Sequence, residues 1–271
     1  VLNSEDRDCR FYDLARISGG LLAAGCAYRR TEVGFETEVF LARYDMSGRQ
    51  QWRHQVSACP GKDGYGCRLC ADAEGNSYVV ARAHNFVQSD HGVGTDCLIA
   101  KYDPDGNLKW ARSYDGPAHL DDRARGVAVD GAGRVTVIGE SLSAPNDLDM
   151  VTIQYDSDGT QRWVRRFAGA GGSADSPSDV IVCNDCVLVT GFTTSQRPVG
   201  SDLQQRDYVT LKYDANGALV WQAIYNGPAH GQDFGVCITA DGQGNAFVTG
   251  QSAAVQSSDP HSTILTLKYA P

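Results

Sequence analysis

An all-β fold is what this sequence predicts, and three observations predict it. The chain repeats itself: "KYDPDGNLKW" at 101–110 returns as "QYDSDGTQRW" at 154–163 and "KYDANGALVW" at 212–221, with a looser copy, "RYDMSGRQQW", at 43–52. Between the copies lie short alternating apolar runs bounded by glycine, the pattern of half-buried strands joined by turns. No long stretch with a 3.6-residue apolar period interrupts them.

The register of the repeat is fixed. Tyr44, Tyr102, Tyr155, Tyr213 and Tyr269 follow one another at 58, 53, 58 and 56 residues. Gly48, Gly106, Gly159 and Gly217 each come four residues after their tyrosine. Trp52, Trp110, Trp163 and Trp221 come four after those glycines, which uses all four tryptophans of the protein. Tryptophan held so strictly in register is read as packing between units. The units span approximately 8–57, 58–114, 115–167, 168–225 and 226–271, in a single domain covering 1–271.

Each unit reads as four short strands. The first opens on "RFYDLARISGGLLAAGCA". In the third, "RGVAVD" (125–130), a "GAG" turn, "RVTVIGE" (134–140), a loop "SLSAPNDLD" (141–149), "MVTIQYD" (150–156) and "TQRWVRRF" (160–167) succeed one another. Asp-x-Asp-Gly between the third and fourth strands supplies the positive φ of a tight hairpin. The fifth unit gives "GVCITADGQGNAFVTGQS" and "STILTLKY", with nothing left for its fourth strand. Four-stranded units at this period indicate a β-propeller. About 54 residues per unit make it five-bladed, and a sixth blade would need about fifty more. A solenoid would require capping units, whereas a ring must close. The expected closure pairs the N- and C-terminal segments, residues near 1–7 supplying the outer strand of the last blade.

The pattern Asp-x-x-Thr-x-Lys-Tyr-Asp-x-x-Gly-x-x-x-Trp, continuing to Asp and Gly-Asn-x-x-Val-Thr-Gly, is carried by Asp207 to Asp214, Gly217, Trp221, Asp233 and Gly244-Asn245 through Gly250. It resembles the SBBP family of bacterial β-propeller repeats over essentially the whole chain, the first unit being the most diverged. The resemblance implies a propeller and a secreted, periplasmic or cell-surface location, and it implies no reaction. The Tyr-Asp-x-x-Gly-x-x-x-Trp core is also similar to the tryptophan-docking repeat of quinone-dependent dehydrogenases. Those rings usually have eight blades and a cofactor chamber, which five repeats cannot supply, so the likeness is read as shared hairpin physics.

Composition removes other classes. A net charge of −9 argues against a nucleic-acid partner, which needs clustered Lys and Arg. No run of eighteen apolar residues exists, so no transmembrane helix is expected. The chain begins at Val1 without methionine, as a processed or incomplete product would, and no signal peptide is visible. Nine cysteines suggest an oxidising compartment, and the odd number leaves one without a partner in the monomer. Cys183 and Cys186 flank a two-residue turn and form the first disulfide candidate. Cys59 and Cys67 bound one loop, "CPGKDGYGC", and form the second. Cys67 and Cys70 point to opposite faces of a strand and are not expected to bond.

Candidate chemistry lies in the loops between strands two and three and between blades. The former include "RRTEVGFE", "AHNFVQSDHGVGTD" and "TSQRPVGSDLQQRD"; the latter include "DGPAHLDD", "AGAGGSAD" and "NGPAHGQD". Long loops on a rigid scaffold carry specificity. Asp122, Asp175 and Asp233 each lie eight residues after a strand-four aromatic. They could form a carboxylate ring for a cation or for glycoside hydrolysis. A structural role, in which each holds its own loop, is favoured, because a catalytic pair needs two different environments. His119 and His230 occupy matching Pro-Ala-His segments, and His84 and His91 share one loop, but none has a recognised metal spacing. Asp103, Asp105 and Asn107 mimic the start of an EF-hand, yet position twelve is Tyr114 and no helices flank it.

No metal and no cofactor are predicted from these patterns, and no nucleophile motif or phosphate loop is present. The expected function is a non-catalytic binding or assembly module outside the cytoplasm. Its binding surface would lie on the long-loop side around His84, His91, His119, Asp122, Asp175, His230 and Asp233, facing a protein or glycan partner. A lectin-like propeller is the alternative, weakened by the commitment of every tryptophan to packing. A glycan hydrolase with central carboxylates comes third.

Overall fold

The structure, a computed structural model, describes residues 9–31, 34–60, 66–84, 94–144, 147–170, 174–183, 185–195, 205–228, 230–253 and 262–271; of these, the side chains at 29–31, 34–36, 57–60 and 83–84 are not described. Among the described residues every regular element is a strand. Strands β1 (Cys9–Ile17), β2 (Gly20–Thr31), β3 (Gly34–Asp45) and β4 (Gln50–Pro60) form one antiparallel sheet in chain order. The next sheet contains β5 (Arg68–Ala71), β6 (Ser77–His84), β7 (Thr95–Tyr102) and β8 (Leu108–Tyr114) in the same way. A third follows the same plan with β9 (Asp122–Val129), β10 (Val135–Ala144), β11 (Asp147–Tyr155) and β12 (Gln161–Phe167). The fourth has β13 (Ser176–Cys183), β14 (Cys186–Thr194), β15 (Arg206–Asp214) and β16 (Leu219–Tyr225). The fifth holds three strands, β17 (Phe234–Ala240), β18 (Ala246–Ala253) and β19 (Ser262–Tyr269). The segment expected to add its outer strand, near 1–7, lies outside the described residues.

The chain divides into two compact units, Val1–Val137 with Tyr155–Thr160 and Ile138–Gln154 with Gln161–Pro271. In the first, Leu22, Ala24, Val39 and Leu41 of one sheet bury themselves against Leu69, Val79, Ala81 and Tyr102 of the next. In the second, Leu188 and Tyr208 pack with Ile238, Ala246 and Val248. The inner strands β10, β11, β14 and β15 are buried in continuous runs rather than at alternate residues, as strands covered on both faces are.

One turn recurs at both kinds of hairpin. In it the amide of an aspartate donates to a carbonyl four residues on, and a glycine three residues on donates back to the aspartate carbonyl. Asp103 and Gly106 make these bonds at 2.9 Å each, and Asp45–Gly48, Asp72–Gly75, Asp130–Gly133, Asp156–Gly159, Asp214–Gly217 and Asp241–Gly244 repeat them. In most of these turns the aspartate carboxylate completes the loop; Asp103 Oδ1 accepts from the amides of Asp105 and Asn107. Its oxygens are thus engaged by the turn itself, which is why this stretch is a hairpin and not a calcium loop.

Each tryptophan of the first three units reads the turn of the following unit. The indole N–H of Trp52 donates to Pro104 O, that of Trp110 to Ser157 O and that of Trp163 to Ala215 O, at 3.3, 3.0 and 3.3 Å. Arg112 and Arg165, two residues beyond their tryptophans, donate to Gly159 O and Gly217 O at 2.8 and 2.5 Å. Gly217 has φ 77°, and a Cβ there would stand 2.6 Å from Trp163 Cδ2. Glycine is required twice over, by the backbone conformation and by the ring pressed on it. Trp221 instead lies over Tyr269, ring centroids 5.5 Å apart.

Between sheets a second device operates. Asp13 and Asp179 sit at bulges in β1 and β13. The carboxylate of Asp13 accepts from the Leu69 amide in β5, and that of Asp179 from the Ile238 amide in β17, both at 2.9 Å. Irregular register re-aims a side chain, and here it points a carboxylate at the neighbouring sheet.

Two expected loops are corrected. "RRTEVGFE" continues the ladder, with Arg29 opposite Glu36 and Thr31 opposite Gly34. "SLSAPNDLD" is largely strand as well, since β10 extends to Ala144 and β11 starts at Asp147. A ladder satisfies backbone groups whatever the side chains are, so the strands run on through segments read as loops.

Candidate functional site

The loops entering β9, β13 and β17 are built alike. A carboxylate oxygen of Asp122 accepts from the Gly116 amide at 2.6 Å, one of Asp175 from Gly169 at 2.5 Å, and one of Asp233 from Gly227 at 2.8 Å. The other oxygen of Asp175 takes Thr193 Oγ1 at 2.6 Å and the Thr194 amide at 3.1 Å, while Asp233 takes the Ala253 amide at 3.2 Å. A Cβ on Gly169 or Gly227 would fall within 3 Å of the aspartate oxygen that the loop encloses. Asp122, Asp175 and Asp233 are accordingly buried, at 1, 2 and 0% exposure. They tie down their loops.

His119 and His230 stand on the rims of two of these loops, exposed. Both have positive φ, 52° and 48°, and both donate their amides at 2.9 Å to the carbonyl of the loop glycine. Their rings differ in company. His119 Nδ1 meets Asp115 Oδ2 at 2.6 Å, whereas His230 Nδ1 meets Asn226 Oδ1 at 3.1 Å. The Asp115 carboxylate, bonded and close, raises the pKa of His119. Of the remaining expected binding residues, His84 ends β6 with its side chain not described, and His91 lies outside the described residues.

A second row of acids accompanies the first and was not read from the sequence. Asp96, Asp149 and Asp207 begin β7, β11 and β15, each six residues before its repeat tyrosine, and all are buried. That spacing was present in the repeat. What the repeat did not show is that the row faces the loop aspartates. Asp149 is ion-paired to Arg166 at 2.9 Å. Asp207 is buried, and burial and then the nearby Asp233 carboxylate push its pKa up. Asp96, 7% exposed, has an oxygen with no hydrogen-bond partner among the described residues. Burial first, then Asp115 and Asp122, push its carboxyl up to about 6. Asp96, Asp115 and Asp122 each bring one oxygen within 4.8 Å of the others, the group among the described residues best composed to hold a metal.

The cysteines are also placed. Cys183 and Cys186 are opposed in the β13–β14 register and their sulfurs are 3.5 Å apart as thiols. Cys67 is buried and its thiol is hydrogen-bonded to that of Cys26, a neighbour the sequence did not suggest. The side chain of Cys59 lies outside the described residues.

No protein-family model and no curated protein matches the chain. Among solved structures it is similar to a neuraminidase-like protein from A/bat/Guatemala/164/2009, with TM-score 0.55 and 11% identity over 94% of this chain and 69% of that one. It is similar also to a protein of Dyadobacter fermentans, TM-score 0.54 and 11% identity over 93% and 77%. A third likeness is to the β-propeller domain of the Trilobed protease from Pyrococcus furiosus, described as having an open velcro topology, with TM-score 0.52 and 9% identity over 97% and 69%. At such identity the likeness concerns fold alone, and with the antiparallel sheets above it gives an all-β fold of the β-propeller kind. No helix among the described residues is long and apolar enough to cross a membrane.

Proposed function

We propose that the chain is a five-bladed β-propeller of SBBP-type repeats that acts outside the cytoplasm as a non-catalytic binding or assembly module. One observation carries the non-catalytic reading: Asp122, Asp175 and Asp233 each close their own loop through a glycine amide in the same way. A carboxylate committed to backbone donors in every repeat is poorly suited to exchange protons with a substrate. The partner, protein or glycan, is read by the exposed rims that carry His119 and His230, which the 168–175 loop lacks.

The rival surface is the outer strands, where Leu219, Val220 and Ile224 of β16 are about half exposed. A pull-down with quantitative mass spectrometry and a glycan array distinguish the two. We expect a His119→Ala/His230→Ala double variant to lose the ligand that wild type retains, and a Val220→Ser/Ile224→Ser variant to keep it. The reverse result moves the binding surface to the strands. Turnover of labelled polysaccharide that disappears on Asp122→Asn would end the non-catalytic reading.

In an oxidising compartment Cys183 and Cys186 are expected to close a disulfide across their turn, the sulfurs moving from 3.5 Å to bonding distance. Peptide mapping without reduction should find the two linked. Alkylation of both as free thiols in protein from the native source would withdraw the claim.

A further inference from the structure

We propose that Asp96, Asp115 and Asp122 form a binding site for a hard divalent cation of the size of calcium. The inference goes beyond the binding-module reading and does not depend on it. Its first ground is geometry. The three ligand oxygens lie within 4.8 Å of one another, close enough for one ion held at about 2.4 Å to reach all three, and a set of three carboxylates suits calcium better than magnesium, which keeps several waters and takes one or two carboxylates.

The second ground is independent of the clustering. Asp96 is more than nine-tenths buried, and one of its oxygens has no hydrogen-bond partner among the described residues. A buried carboxylate oxygen left without a partner is costly, and such groups are normally paired, protonated or bound to metal. The repeats provide an internal comparison. Asp149 and Asp207, at the equivalent position, also keep one oxygen without a partner, but Asp149 is ion-paired to Arg166 and neither has two further carboxylates gathered beside it among the described residues. The third carboxylate is likewise confined to this loop: where Asp115 stands here, Ala168 and Asn226 stand in the other two. The site is also pre-positioned, since the Gly116 amide fixes Asp122 and the His119 ring fixes Asp115. Three carboxylates are a hard, oxygen-only donor set, which favours calcium over zinc or copper.

The test uses calcium chloride alone on the full chain after chelator treatment and buffer exchange, read by calorimetric titration and by thermal unfolding. Wild type should bind one calcium ion, with its melting temperature rising as calcium is added, and magnesium should be weaker by about tenfold or more. Asp96→Asn should abolish both signals, while Asp207→Asn, the same position in a loop whose third group is an amide, should leave them intact. Should Asp96→Asn fail to fold, the exposed Asp115→Asn serves, with an affinity expected to fall about tenfold or more. Absence of heat and of any shift in wild type overturns the proposal, as does unchanged binding in the folded Asp96 or Asp115 variant. Asp96→Asn stabilising a protein indifferent to calcium also overturns it, and would mean that Asp96 is held as the neutral acid.

Discussion

Trp110→Ala and Trp163→Ala are each expected to lower the unfolding free energy by about 3–5 kcal/mol. Both rings are buried, at 8 and 6% exposure, and each does three things at once. It covers the turn glycine of the next repeat, lies about 6 Å from the following repeat tyrosine (Tyr155 and Tyr213), and donates its N–H to a turn carbonyl. Truncation leaves a cavity where the surrounding backbone cannot collapse, because two hairpins fix it. Trp52 and Trp221 are half-buried, so their truncation should cost less. Chemical denaturation of the four single variants checks the ranking. If all four were equally stable and lost only glycan binding, the tryptophans would be sugar platforms and the lectin-like alternative would take precedence.

Asp175→Ala is expected to cost about 3–5 kcal/mol, because it strips partners from buried donors as well as removing a charge. The Gly169 amide, the Thr194 amide and the Thr193 hydroxyl all point at its two oxygens. Asp175→Asn should recover part of the loss, since one side of the amide still accepts while the other presents hydrogens to donors. Denaturation curves of the two variants settle the matter. A fully stable Asp175→Ala protein would show that the carboxylate serves something other than its loop.

The sequence displayed what is strictly periodic and local. Asp103 and Gly106 announced a turn because their chemistry is complete within five residues, and Trp110 announced packing because its register repeats. Long-range relations were hidden for physical reasons. Asp96 and Asp122 are 26 residues apart, on strands of different sheets, and only the folded backbone makes them neighbours. Asp13 and Asp179 reach across sheets because of bulges, and a bulge leaves no distinctive residue behind. Cys67 found Cys26 in the preceding sheet, whereas proximity along the chain pointed to Cys59. At the loops, "RRTEVGFE" and "SLSAPNDLD" misled because the ladder that extends each strand is made by backbone groups, which leave no mark in the side chains.

The way Trp52, Trp110 and Trp163 grip the following turn, the last two with an arginine, bears on how such chains change length. Their acceptors are peptide carbonyls of Pro104, Ser157, Ala215, Gly159 and Gly217, which every residue type offers equally. The joint is therefore indifferent to the identity of the turn residues, provided the glycine is there to admit the ring. One repeat can be duplicated, deleted or exchanged for another without redesigning its neighbours, and the loops can diverge while the joints persist. A protein assembled from such couplings can be remodelled by recombination of whole modules, leaving point substitution to adjust what each module displays.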